Sequence, residues 1–262
     1  AMKTFFLPVL VGLMPVMLFA QSDALYDVSV ALDPLEVRML PMNEDPQQDS
    51  QRTLREASGW NTWSEDRPTW RAIMSEATGL PHRAFGPALA YEGATVEEKA
   101  AAFAANDLAS FGIDFEGEWT TESKMGKHTW AHAQQYAEGI PVKGGKLVTK
   151  WWNGQLIMWG ADWYRDVPQD ADELLTPLAK QEAVTAGVSF TEWGDVEIGE
   201  LSWVKTLTEE GSYEWHLTRT WMVEGRQGTI PRRYETGLDV QTGEIVWRQN
   251  QVMDIDGTWG VP

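Results

Sequence analysis

A helix that carries its own start and stop signals, followed by alternating runs joined across tight turns, limits this chain to mixed helix-and-sheet architectures. Over residues 95–111, Thr95 and Glu98 form a T-x-x-E capping box, and Val96, Ala100, Phe103, Ala104, Leu108 and Phe111 fall on one helical face. Gly112 stands where helices end in a left-handed turn. Strand-like runs follow at 129–136, 146–152 and 155–163, the last two joined across Asn153-Gly154. A helix preceding hairpin-linked strands predicts an α+β fold.

The same order then returns. Thr176-Pro177 offers a cap and an N1 proline to a short helix over 178–186, closed by Gly187. Leu201, Trp203, Lys205 and Leu207 alternate onto one strand face. After a turn at 209–211, Tyr213, Trp215, Leu217, Arg219 and Trp221 do the same. Residues 232–240 and 244–252 flank a further hairpin turn, Gln241-Thr242-Gly243. The acidic stretch 166–173, with Pro168, reads as a linker between the two units. Ahead of both, residues 33–58 hold Pro34, Pro41 and Pro46 among Asp, Glu and Gln, and read as a mobile leader. Trp60, Trp63 and Trp70 mark the start of the folded part.

Residues 2–20 place Lys3 before an uncharged run interrupted by Pro8, Gly12 and Pro15, the pattern of a secretory signal peptide. Sixteen helical residues would reach about 24 Å, short of a bilayer core of about 30 Å. Cleavage is expected between Ala20 and Gln21, with a second choice after Ala24, and no membrane association is expected afterwards. The chain has no cysteine, so an exported product would hold together by burial alone, without disulfides or thiolate zinc sites. Its formal charge of −18 argues against nucleic acid as a partner.

No catalytic pattern emerges. His82, His128, His132 and His216 are each followed by a residue other than glutamate, so no His-Glu-x-x-His motif occurs. His128 and His132 have an i, i+4 spacing, but in a strand four residues span about 13 Å, too far for one metal ion. Asp254-Ile255-Asp256-Gly257 resembles half of a calcium loop but reads as a turn, because Val252 stands at the preceding ligand position and no closing glutamate follows. Asp170, Asp172 and Glu173 read as solvated carboxylates. Fifteen tryptophans invite a stacking role, yet Trp203, Trp215 and Trp221 fall on alternating strand positions where packing is expected.

Two motifs carry a family resemblance. Gln135-Tyr136-Ala137-Glu138-Gly139-Ile140-Pro141-Val142, followed by Lys143-Gly144-Gly145, resembles the central motif of the fungalysin/thermolysin propeptide (FTP) domain. Gly79-Leu80-Pro81-His82, the capped helix and the Asn153-Gly154 hairpin stand in the matching order, while Ala137 replaces a frequent aromatic. On the residues alone, Gly139 and Pro141 would end a strand in a rigid turn, with Ile140 and Val142 burying their side chains. Leu238-Asp239-Val240-Gln241-Thr242-Gly243-Glu244-Ile245-Val246 is similar to the closing hairpin of a PepSY domain.

The resemblance implies a signal at 2–20, a leader at 21–58, an FTP-like domain at 59–165, a linker at 166–173, a PepSY-like domain at 174–253 and a C-terminal segment at 254–262. It implies two cystatin-like units, each a helix on an antiparallel sheet. It also implies a non-catalytic proregion without a cofactor of its own, which inhibits and helps fold a secreted thermolysin-like zinc metalloendopeptidase. That partner would act in cis, following Pro262, or in trans, and any zinc would belong to it. A free-standing exported inhibitor or surface-assembly protein, and a glycan-binding module, are the other readings of the same features.

Overall fold

A computed structural model describes residues 35, 37, 48–115, 117–169, 177–208 and 210–251, all within one compact unit. The fold is α+β: a ten-stranded, almost wholly antiparallel sheet with a few helices. Its elements run α1 (Gln48–Ala57), α2 (Trp60–Glu65), β1 (Arg71–Met74), β2 (Pro81–Leu89), α3 (Val96–Asp107), β3 (Thr120–Met125), β4 (His128–Ala137), β5 (Ile140–Trp152) and β6 (Gln155–Asp162). Then come α4 (Pro177–Thr185), β7 (Glu192–Leu207), β8 (Tyr213–Gln227), β9 (Ile230–Asp239) and β10 (Ile245–Asn250). The strand order is β1-β2-β6-β5-β7-β8-β9-β10, with β4 on the other side of β5 and β3 beyond it. No described helix is long and apolar enough to cross a membrane.

The capping box sets the start of α3. Thr95 accepts from the Glu98 backbone N–H at 3.2 Å while Glu98 accepts from the N–H groups of Ala94 and Thr95. A 3₁₀ turn (Leu108–Phe111) ends at Gly112, whose φ of 69° is left-handed. The helix buries Ala100, Phe103 and Ala104 against a sheet row in which Ala84, Trp159, Thr149 and Ala131 are register partners and fully buried. Successive strand residues face opposite ways, so the neighbouring row, Arg71, Phe85, Met158, Lys150 and Trp130, lies on the side away from that core.

Several expectations change. Residues 48–57, assigned to the leader, form helix α1, and the Gln51 side chain pairs with both backbone groups of Met74 at 2.7 and 3.0 Å. The turn of the propeptide-like motif is Glu138 and Gly139, both at positive φ, with Ala137 paired to Ile140. Pro141 therefore sits inside β5, opposite Tyr136, and does not end a strand. Proline is tolerated there because the ladder loses only one donor near a strand end. Strands β7 and β8 are far longer than the alternation suggests. Their register shifts between Trp193 and Val196 and again between Ile198 and Leu201, which breaks the period-two pattern. The signal site at Ala20 and Gln21, Thr176, the linker acids Asp170, Asp172 and Glu173, and residues 252–262 lie outside the described residues.

Candidate functional site

Strand β5 is the hinge of the sheet. Its C-terminal part pairs with β6 from Lys146 to Trp152, while nearer its start Val142 pairs in parallel with Trp203 of β7. The propeptide-like motif thus forms the seam between the two halves. Val142 is fully buried in a seam core with Ala137, Tyr164, Trp203, Leu217 and Val240, and Ile140 packs against it. Val240 belongs to the PepSY-like hairpin, so the structure brings the two sequence motifs into one cluster.

The glutamines explain why the motif needs its polar residues. Gln135 is buried and uses its amide as a backbone mimic: its Oε1 accepts from Tyr164 N–H at 3.0 Å and its Nε2 donates to the Tyr164 carbonyl at 2.5 Å. Gln134 donates to the carbonyls of Gln135, Val142 and Gly145. Both cross-links close buried backbone groups that would otherwise cost about 1–3 kcal/mol each. Gly145 is required because a Cβ would stand 2.6 Å from Gln135 Oε1. Tyr136, by contrast, points outward and is exposed.

In the second motif, Asp239 Oδ1 accepts from the backbone N–H groups of Gln241 and Thr242, each at 2.8 Å, and Gly243 donates to the Asp239 carbonyl with φ at 79°. His216 bridges Asp239 Oδ2 at 2.9 Å and Thr206 Oγ1 at 3.1 Å. An acid, an imidazole and a hydroxyl in line have the outline of a nucleophile relay. Thr206 is only 1% exposed, so its hydroxyl faces no substrate and the trio serves the hairpin.

Burial alone would raise the Asp239 carboxyl, but hydrogen bonds from His216 and from the Thr242 and Gln241 N–H groups outweigh it and hold its pKa below the usual range. Its stabilising contribution is therefore present above the unfolded value near ~3.9 and is lost as pH falls through the lower folded value. Urea midpoints measured from pH 6 to 2.5 should show this acid loss in the parent chain. Asp239→Asn should start lower at pH 6 and slope less below pH 4. Parallel curves for the two proteins would remove Asp239 as a source of acid sensitivity.

Beside the seam the halves splay, leaving an open cleft of about 540 Å³ lined by Gln134, Pro141, Lys143, Gly199, Glu200 and Glu235, among others. Lys143 reaches from β5 to β9 and β10: its amine lies 3.3 Å from the Trp247 ring centroid and 3.4 Å from Glu235. Burial lowers its pKa, opposed by Glu235 and Glu200. Lys205, also near the seam, pairs with Asp166 at 2.7 Å within reach of the rings of Tyr164, Tyr213 and Trp215. Both cations tie the halves together. His128 and His132 lie along β4, and no cluster of three or more His, Asp or Glu suited to a metal occurs among the described residues.

No protein-family model matches the chain, and no curated protein matches it. Among solved structures it is similar to the Bacillus megaterium YpeB C-terminal domain, with 10% identity and a TM-score of 0.30. That alignment covers 79% of this chain and 99% of the other. A TM-score that low establishes no shared fold.

The sequence singles out Asp239, Thr242, Gly243 and the motif from Gln135 to Val142, with Lys143 only as the residue that follows it and without its contacts to Glu235 and Trp247. Those three come from β5, β9 and β10 and meet only through the sheet order. No spacing in the sequence signals their approach.

Proposed function

We propose that this chain is a non-catalytic proregion that inhibits and assists the folding of a secreted thermolysin-like zinc metalloendopeptidase. The observation that carries the reading is the meeting of Val142 and Val240 in one seam core, in a chain whose FTP-like motif precedes its PepSY-like hairpin. A restraint acts by binding the native protease more tightly than its unfolded form, and a stiff seam preserves the geometry that such binding needs. Each half, a helix beside antiparallel strands, is read as a cystatin-like unit: α3 with β1–β6, and α4 with β7–β10. The partner would act in cis beyond Pro262 or in trans, and any zinc would be its own.

The test is a refolding assay. Denatured thermolysin-like protease is diluted with or without this chain at micromolar excess, and proteolysis is followed before and after the chain is digested away. A higher yield of active protease together with suppressed activity beforehand is the expected result. Unchanged yield and unchanged activity overturn the proposal.

A further inference from the structure

Beyond the seam, the face of the first six strands turned away from α3 carries an unusual row. Register partners across five strands place Arg71, Phe85, Met158, Lys150 and Trp130 side by side. The Lys150 amine stands 4.8 Å from the Trp130 ring, and Trp130 stacks on His132 two residues along β4. A second row begins with Ile73 and Arg83, whose guanidinium lies across the side-chain-free Gly160. At the far end of β5, Trp152 pairs with His128.

Three apolar members are exposed, whereas Val148, the register partner of Gly160 in the second row, is buried. Phe85 is 48% exposed, Trp152 43% and Ile73 42%. In a chain of net charge −18, these rows hold three permanent cations. The carboxylate adjoining them among the described residues is Asp162, which Arg83 and His82 already engage. Rings and cations alternate across the sheet.

We propose that this face binds an acidic polysaccharide, a polyuronate, whose sugar faces stack on Phe85, Trp130 and Trp152 while its carboxylates meet Lys150, Arg83 and Arg71. Charge complementarity selects the polyanion: its carboxylates meet Lys150 and add to the carbonyl contacts of Arg71 and the Asp162 contact of Arg83, whereas a cationic glycan would meet like charge. Exposed rings supply apolar area, and the cations supply charge-assisted hydrogen bonds that salt weakens. Export, which the signal-peptide pattern at 2–20 predicts, favours an extracellular polysaccharide over nucleic acid. This role is independent of protease restraint.

The full chain is titrated with polygalacturonate oligomers by calorimetry at low and high salt. Binding that weakens with salt is expected, and the double variant Trp152→Ala, Lys150→Gln should weaken it by at least about tenfold, or ~1.4 kcal/mol. Equal urea midpoints for parent and variant exclude a folding artefact. If the double variant does not fold, Lys150→Glu alone gives the same readout. Absence of binding, equal binding of uncharged dextran, full retention by the variant, or tighter binding of oligothymidylate would each overturn the proposal, the last in favour of a single-stranded nucleic acid surface.

Discussion

Replacing Trp159 with alanine should lower the unfolding free energy by about 3–5 kcal/mol, the range for removing a fully buried large aromatic. Trp159 lies in β6, fully buried, with ring centroids of Trp63, Phe103 and Phe111 at 5.4, 5.4 and 5.1 Å. Those rings come from α2, α3 and the 3₁₀ turn, so one side chain joins three helical segments to the sheet. Its neighbours are themselves fixed and cannot collapse into the space. Trp63 donates to Asp107 at 2.6 Å, and Asp107 also accepts from Tyr91 at 2.6 Å and from Arg67 at 3.1 Å. Trp159→Phe should cost less, because the indole N–H is buried without a hydrogen-bond partner among the described residues and its removal relieves that penalty. Urea denaturation followed by far-UV circular dichroism measures both. A Trp159→Ala loss under about 1 kcal/mol would mean that the tryptophan cluster is not a tightly packed core.

The parts of the fold legible in the sequence are those with local causes. Thr95, Glu98 and Gly112 frame α3 because capping and left-handed termination act within a few residues. The Asn153-Gly154 hairpin is legible for the same reason, its two central residues having φ of 51° and 76°. Where a distant partner decides, the pattern misleads. Helix α1 is polar and reads as leader in the sequence, yet Gln51 fastens it to Met74 and Arg55 donates to the Ala72 carbonyl at 3.4 Å. Asp107 appeared only as another residue of the α3 stretch, though it gathers three donors from separate segments. In the candidate site, the motif from Gln135 to Val142 was legible as a unit. The pairing of Gln135 with Tyr164 was not, since 29 residues separate them and β6 must first bring them together.

Arg248 is the second such keystone, and Arg248→Met should cost on the order of 3 kcal/mol through the acceptors it leaves unsatisfied. The residue is 3% exposed and lies in β10. Its Nε donates to Thr236 Oγ1 at 3.1 Å, its Nη2 to the Val184 carbonyl at 2.7 Å and its Nη1 to the Ala186 carbonyl at 3.3 Å. The last two groups belong to the C-terminal end of α4, where carbonyls lack helical partners and the helix dipole favours a cation. Methionine matches the length and apolar bulk of the stem but restores no donor. Arg248→Lys should recover only part of the loss, because one ammonium cannot reproduce the planar fork that spans both carbonyls. Hydrogen exchange distinguishes this local clamp from general destabilisation. Amides of α4 should lose protection in Arg248→Met well before those of β8 and β9, whose pairing runs unbroken from Thr218–Asp239 to Gln227–Ile230. Equal loss in α4 and the strands would show that the guanidinium supports the sheet as a whole, and unchanged α4 protection would show that Val184 packing against Trp221, Val223 and Leu238 holds the helix without it.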